Sequence, residues 1–446
     1  MKYLFIFLIG ICMAVLFSCS KDQQRDQSKQ MDSIAEDYVK LVLNVGLYDP
    51  DYIDSYYGPE EWQPSKADKQ DAFPYKQFSN EIIRLIELNN EIDTNKFLGL
   101  EKQRHTSLAK QLRSVQTKIK MLYGRQYSFD EESELLYYAV APNHNDNYYH
   151  EWISKLENLI PGTGNLSERL NTYKKEFVIP KERLDTVFSV AIAECRNRTL
   201  DQIELPENEK FIFELVTKKS WRLYNFYKGN SFSVIQMNTD LPIPIYRAVL
   251  GGAHEGYPGH HVFSTLVEKY LVKDKGWIEY SILPLFSPRA LIVEGAAVYA
   301  QELVMSFNER ISFERAVIFP LAGLDSSKVE EYDQIDKIWS RLGFVARSEV
   351  ARKYLDGSLT EEEATNWLIN YGLYSPEQAR QHISFIRQYR SYVINYHLGY
   401  YIMKKYIESK GGTSDNPQLR WKLFTELISS PVTPSELIKA TNENFE

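Results

Sequence analysis

Residues 254–261 read His-Glu-Gly-Tyr-Pro-Gly-His-His. Three of the eight histidines of the chain lie in this short window, beside one glutamate. His-Glu followed by a nearby His is typical of zinc hydrolases, in which two histidines hold the metal and the glutamate takes a proton from the attacking water. The spacing differs from the common His-Glu-x-x-His, and this difference determines how the chain has to fold around the motif.

The break in the motif is a proline–glycine pair. Pro258 stands where the second ligand is expected, and it lacks the N–H that would bond the carbonyl of His254, so we expect the helix to kink or open there. On a straight helix, His260 would lie about 240° around the axis, and His261 about 10 Å along it. A bulge at Pro258 and Gly259 that acts as a two-residue insertion favours His260 as the second ligand. His261 is the alternative, and the remaining histidine would contact substrate or orient a ligand.

Two glutamates complete the predicted site. Glu255 adjoins His254 and is placed to act as general base. A catalytic zinc needs a third protein ligand, and Glu294 is the best candidate because it is a lone acid in an apolar helical segment. A buried carboxylate requires a partner, which a metal ion supplies. Small neighbours such as Gly295 would let this helix pack closely against the helix of His254.

Most of the chain has helical patterning. Apolar residues recur at three- and four-residue spacing over 34–45, 82–88 and 290–305, and capping boxes begin at Thr360, Ser375 and Thr433. The clearest strand pattern is the alternation over 232–238, just before the metal motif. The sequence therefore predicts a mainly α, large helical fold with a small β element near the helix of the metal motif. No linker divides residues 32–446, so we expect a single helical unit.

The N-terminus has the features of a lipoprotein export signal. A positive start precedes an apolar run over 3–17, and Leu-Phe-Ser-Cys at 16–19 resembles a lipobox. We expect a signal peptide over 1–18, lipidation of Cys19 with palmitate-type acyl chains, and a polar tether over 19–31. The protein would then contact the membrane through Cys19 in the bacterial cell envelope. Ser20 favours the outer membrane and leaves the periplasmic or surface face open.

The remaining composition narrows the choice of partners. The net charge of −8 and the lack of a basic stripe argue against nucleic-acid binding. Of the three cysteines, Cys12 would leave with the signal and Cys19 would carry lipid. Cys195 would remain alone, which excludes a disulfide within the mature chain.

The string at 253–261 resembles the signature of the domain-of-unknown-function 885 family. These are exported bacterial proteins regarded as relatives of the zincin metallopeptidases. Further similar segments lie at 159–164, 178–184, 238–242 and 293–295. The chain differs from the family pattern at 390–393, where Pro-Gly-Gln-Ala is common, and at 357–360, where a histidine is frequent.

The resemblance implies a mostly helical fold with a zincin-like core and a divalent metal, zinc. It implies His254, one of His260 and His261, and Glu294 as ligands, with Glu255 as base. It also implies that the strand at 232–238 pairs with the backbone of a peptide substrate.

Together these features predict a lipid-anchored, zinc-dependent hydrolase of peptide or amide bonds. Tyr396 is the candidate for the hydrogen bond that steadies the oxyanion, with Tyr257 and His397 as alternatives. One competing hypothesis keeps the metal but changes the substrate to an ester or a non-peptide amide. Another is an inactive surface lipoprotein that binds a peptide or partner. The presence of both Glu255 and Glu294 favours an enzyme, because a binding protein needs no base.

Overall fold

The computed structural model of the 446-residue chain describes residues 25–441. The expected signal peptide and lipidated Cys19 lie outside these residues. The first described helix spans 25–46, and Met31 within it is fully buried. The expected polar tether therefore does not extend to residue 31, because residues 25–31 belong to a helix that packs into the core.

The predicted mainly helical fold with few strands is confirmed. The principal helices are α1 (25–46), α2 (Tyr75–Asn90), α3 (Leu100–Leu122), α4 (Phe129–Tyr137), α5 (Asp146–Leu159), α6 (Leu166–Lys175), α7 (Leu184–Leu200), α8 (Arg247–Gly251), α9 (His260–Val267), α10 (Pro288–Leu303), α11 (Phe307–Phe313), α12 (Phe319–Ala322), α13 (Val329–Leu355), α14 (Glu361–Tyr371), α15 (Pro376–Tyr389), α16 (Ile394–Ser409), α17 (Pro417–Ile428) and α18 (Pro434–Thr441). Within residues 25–441, no single helix is long and apolar enough to cross a membrane. One bent pair, Pro288–Leu303 with Phe307–Ala322 at 73°, passes by length and composition only.

Within residues 25–441, five short strands form two small sheets. They are β1 (Ile53–Tyr56), β2 (Lys210–Val216), β3 (Leu223–Tyr227), β4 (Phe232–Asn238) and β5 (Ile282–Pro284). β1 pairs antiparallel with β5, while the larger sheet has the order β2-β4-β3. β4 coincides with the predicted strand at 232–238.

The sheet order corrects one expectation about β4. This strand pairs in parallel with β2 on one side and antiparallel with β3 on the other. Its backbone groups are therefore already engaged along both edges, and it cannot add a substrate strand by backbone pairing. Its role is instead to support the metal-motif helix that packs next to it.

α10 and α16 pack so closely that their backbones touch. A Cβ atom built on Gly295 of α10 would lie 2.4 Å from the carbonyl carbon of Gly399 on α16. A Cβ atom on Gly399 would lie 2.6 Å from the carbonyl oxygen of Leu291. Only glycine fits at either position. Because almost every residue of α10 is buried, its apolar sequence follows from its place at the centre of the molecule.

Candidate metal centre

The metal motif occupies a helix that widens, breaks and restarts. α8 continues into a π-helical turn over Gly252–Gly256, and α9 begins at His260. The N–H of Gly259 donates to the carbonyl oxygen of Ala253 at 2.9 Å, which folds the break back against the preceding turn. A Cβ atom on Gly259 would lie 1.9 Å from the carbonyl oxygen of His254, so the approach requires glycine.

This fold-back brings two imidazoles together. The rings of His254 and His260 lie 4.7 Å apart between centroids and are nearly perpendicular, at 87°. Both Nε2 atoms face Glu294 on α10, with its Oε2 atom 3.4 Å from His254 and 3.7 Å from His260. The break at the proline–glycine pair thus places His260, which a straight helix would turn away, beside His254.

Two carboxylates compete for the role of third ligand. Glu255 also has an oxygen within 4.8 Å of a nitrogen of each of the two histidines. Glu294 stays the candidate third ligand, because its Oε2 lies 3.4 and 3.7 Å from the two Nε2 atoms and Glu255 has no oxygen within 4.0 Å of either ring nitrogen. The Oε2 atoms of Glu294 and Glu255 are both buried and accept no hydrogen bond. Buried carboxylate oxygens without partners are unusual, and two imidazoles with a carboxylate form a donor set suited to zinc.

Neighbouring polar groups orient the candidate ligands. The hydroxyl of Tyr392 donates to Glu294 Oε1 at 2.6 Å, which leaves Oε2 facing the imidazoles. Gln301 Nε2 lies 3.5 Å from Nδ1 of His254, on the ring nitrogen opposite the cluster. Such outer contacts fix the ring and carboxylate orientations of metal ligands. Neither residue was predicted from the sequence. A signal was present, since Gln301 lies two helical turns after Glu294, and Tyr392 lies one turn before Tyr396.

Burial and charge act in opposite directions within the cluster. Burial raises the pKa of Glu255 to about 7. Burial lowers the pKa of His260 to about 4, so its imidazole is neutral at neutral pH. Burial also opposes the charged form of Glu294, but His260 and His254 outweigh it and lower the pKa of Glu294 overall. Glu294 as a carboxylate and His260 as a neutral imidazole have the protonation states that a cation requires. Burial opposes the charged form of His254, but the nearby Glu294 and Glu255 outweigh it and raise the pKa of His254, so a cation would have to displace the proton that they favour.

His261 lies apart from this cluster. Its Nδ1 is 2.7 Å from Ser233 Oγ on β4, and its Nε2 is 3.0 Å from Glu209 Oε1. The hydroxyl of Tyr257 donates to the same carboxylate oxygen. Successive residues on a helix point about 100° apart, so His261 faces the sheet when its neighbour His260 faces the cluster. Of the two alternatives left open by the sequence, the structure brings only His260 to His254. Glu209 could not have been found from the sequence, because no pattern links it to the motif.

Tyr396 lies over the candidate centre. Its ring is 6.4 Å from that of His254 and nearly parallel to it, at 21°. Burial raises the pKa of Tyr396 well above its ordinary value, so its hydroxyl remains a donor. Tyr396 and His397 both line a cavity of about 1310 Å³ that contains the cluster. Tyr257 is held at Glu209, on the other side of the motif.

The candidate ligands and the candidate base line the same cavity. His254, His260 and Glu294 line it together with Glu255, and β3 contributes to its wall. The cavity is large enough for several residues of a peptide, since drug-sized ligands fill about 300–1,000 Å³. The arrangement supplies a polar, partly enclosed place for a cation next to a carboxylate that can exchange a proton near neutral pH.

Comparisons with known proteins show a shared fold. No protein-family model matches the chain, and no curated protein matches its sequence. The chain is similar to a protein from Colwellia psychrerythraea that is assigned as a lipoprotein, with 14% identity, a TM-score of 0.52, and coverage of 86% of this chain and 70% of the other. A protein of unknown function from Shewanella oneidensis, also assigned as a lipoprotein, has 11% identity, a TM-score of 0.40, and coverage of 80% and 73%. Metallocarboxypeptidase 1 of Trypanosoma cruzi has 13% identity, a TM-score of 0.39, and coverage of 95% and 97%.

Proposed function

We propose that the protein is a metal-dependent hydrolase of peptide or amide bonds. The observation that carries this proposal is the convergence of His254, His260 and Glu294 in the lining of a large cavity, with Glu255 beside them. The two carboxylate oxygens that point into the cluster have no hydrogen-bond partner. These side chains suit a zinc ion, with His254, His260 and Glu294 as the residues that would hold it.

The chemistry divides between the ion and the protein. Zinc, when bound, acts as a Lewis acid on the scissile carbonyl and lowers the pKa of water. Glu255 takes the proton of the attacking water and passes it to the leaving nitrogen, a role suited to a carboxyl with a pKa near 7. Tyr396 donates a hydrogen bond to the oxyanion. Tyr392 holds Glu294 in place through its 2.6 Å hydrogen bond.

Family membership and location form part of the proposal. The motif at 253–261 and the helical fold support membership in the domain-of-unknown-function 885 family. The lipobox-like sequence at 16–19 supports a lipid anchor on Cys19 and a place in the cell envelope, at the outer membrane. The peptide or amide substrate would then be met outside the cytoplasm.

Metal analysis and one substitution test the function. Plasma mass spectrometry of the purified mature protein should find close to one zinc ion per chain. Glu255→Gln should retain that ion and lower the turnover of short peptides by about 10²–10⁴-fold, the usual contribution of a general base. Glu426→Gln is the control, since Glu426 is an exposed glutamate on α17 paired only with Lys422.

Two outcomes would contradict the proposal. If the protein held no divalent ion after purification and incubation with zinc, the proposed metal centre would be refuted. If wild type and Glu255→Gln had equal turnover, the proposed role of Glu255 as general base would be refuted. Turnover of acyl esters, measured beside that of the peptides, distinguishes the proposed peptidase from an esterase. We expect the peptides to be the better substrates.

A further inference from the structure

Three arginines line the cavity without an acidic partner. Arg222, Arg247 and Arg347 all face it, and none forms an ion pair within 4.0 Å among residues 25–441. The Nε atom of Arg347 is buried and has no hydrogen-bond partner. Arg222 donates only to the carbonyl oxygens of 241 and 242 and to Gln381. Arginines at partly buried positions are ordinarily paired, so these three leave positive charge uncompensated.

The three guanidinium groups act on one region of the cavity. The pKa of His382 lies well below its usual value. Burial is the largest cause, and the positive charges of Arg347, Arg222 and Arg247 lower it further. Burial, followed by Arg247, lowers the pKa of Arg222 to about 10. Arg222 reaches Gln381, the neighbour of His382 on α15, at 3.5 Å, and all three arginines line the same cavity as His382. We call Arg222, Arg247 and Arg347 the arginine cluster.

The acidic groups near the arginine cluster do not neutralise it. Asp336 interacts with both Lys174 and Arg247, and Asp240 interacts with Arg222. Neither carboxylate lies within 4.0 Å of a guanidinium of the cluster. The three guanidinium groups are therefore left without a close counter-charge from these two acids.

The arginine cluster lies close to the candidate metal centre. The guanidinium carbon of Arg347 lies 5.8 Å from the centre of the Tyr396 ring, and that ring lies 6.4 Å from His254. Arg247 begins α8, which continues into the turn that holds His254, and it lines the same cavity as His254 and Glu255. The guanidinium carbon of Arg347 therefore lies no more than about 12 Å from the centre of the His254 ring, a span that one or two extended residues of about 3.5 Å each can bridge together with the contacts at their two ends.

We infer that the arginine cluster binds the C-terminal carboxylate of a peptide whose scissile bond lies at the metal centre, one or two residues before its end. The inference rests on the proposed function and adds to it a substrate class: peptides with a free C-terminus. A carboxylate suits the site because guanidinium groups donate two parallel hydrogen bonds to it and share its charge. The enzyme would therefore release one or two residues from the end of the chain instead of cutting within it.

Matched peptides test the inference without any substitution. The zinc-loaded protein is given one acetylated peptide with a free C-terminus and the same peptide as its C-terminal amide. The free acid should have a kcat/KM about 10- to 100-fold higher, the range expected from charge-assisted hydrogen bonds. Equal kcat/KM values would overturn the inference and leave the proposed hydrolase intact. A glutamate-bearing amidated peptide cleaved as well as the free acid would also overturn it, because a side chain would then be the recognised group.

Substitution of Arg347 then tests whether the preference for a free C-terminus depends on the arginine cluster. Arg347→Gln should bring the acid-to-amide ratio close to one, and Arg347→Lys should retain part of it. The control is Arg380→Gln, since Arg380 is an exposed arginine on α15 that is paired with Glu377 and lies outside the cavity. An unchanged ratio in Arg347→Gln with normal zinc content would contradict the assignment of this residue.

A binding measurement separates this inference from the proposed function. Calorimetry with the Glu255→Gln protein compares the affinity of the same acid and amide peptides when no turnover occurs. Tighter binding of the acid by about tenfold or more, lost in the double variant with Arg347→Gln, supports the carboxylate site even if the wild type proves inactive. Equal binding of acid and amide overturns the inference whatever the activity.

Discussion

Replacing Gly259 by alanine tests the fold-back that forms the metal centre. The added methyl carbon would lie 1.9 Å from the carbonyl oxygen of His254 and 2.4 Å from that of Ala253. Non-bonded carbon contacts are about 3.5–4.0 Å, so the backbone has to move by more than about 1 Å. Because Gly259 immediately precedes His260, this movement displaces the imidazole. We expect a loss of about 1–3 kcal/mol in the free energy of unfolding, and at least about 100-fold in kcat/KM.

A second glycine of the same motif provides the control. A Cβ atom on Gly256 would meet only the side chains of Ile192 and Ile235, at 3.7 and 3.9 Å, which are ordinary contacts. Gly256→Ala should therefore bind zinc and unfold in urea almost as the wild type does. Zinc affinity by competition with a chromophoric chelator and unfolding by circular dichroism give the two readouts. If Gly259→Ala bound zinc with wild-type affinity and lost no stability, the steric argument would be refuted.

Three further perturbations have defined outcomes. Gly399→Ala should destabilise the protein by about 1–3 kcal/mol in urea unfolding, because its methyl group would press on the backbone of α10 near Gly295. Burial raises the pKa of Asp54 to about 6, so the folded protein binds this proton more tightly than the unfolded chain does. The resulting stabilisation of the folded state is complete below about pH 4 and is lost as the pH rises through 6. Asp54→Asn, which can still accept the hydrogen bond of Tyr224, should gain about 2–3 kcal/mol over the metal-free wild type between pH 4 and pH 8, and a pH-independent difference would contradict this. Removal of zinc by a chelator should lower the melting temperature, which should return when zinc is restored, because an ion that binds the folded state stabilises it.

Local features of the fold could be predicted from the sequence. The capping boxes at Thr360 and Ser375 begin α14 and α15, and the backbone N–H and the hydroxyl of Thr433 both donate to the carboxylate of the expected partner Glu436. β4 also has its predicted bounds. These elements depend on residues close in sequence. The position of β4 between β2 and β3 depends on pairings between distant segments, and its alternating pattern carries no information on which neighbours cover its edges.

In the candidate site, too, the features that depend on neighbouring residues could be predicted, and the contacts between distant segments could not. Pro258 lacks a backbone N–H, and this local fact was sufficient to predict the break and to favour His260. The contact between Glu294 and the histidines depends on packing of α10, and the sequence could only suggest it from a lone acid among small apolar residues. The arginine cluster joins α8, α13 and the segment before β3, so no spacing in the sequence relates its members.

The touching backbones of α10 and α16 have a consequence for ion selection. A helix locked at Gly295 cannot slide or rotate to suit ions of different radius, and Glu294 is the adjacent residue. Zinc–oxygen bonds are about 2.0–2.2 Å and calcium–oxygen bonds about 2.3–2.6 Å. A carboxylate that is held in one position therefore discriminates between ions by their size. We expect calcium to compete poorly for this centre even in millimolar excess.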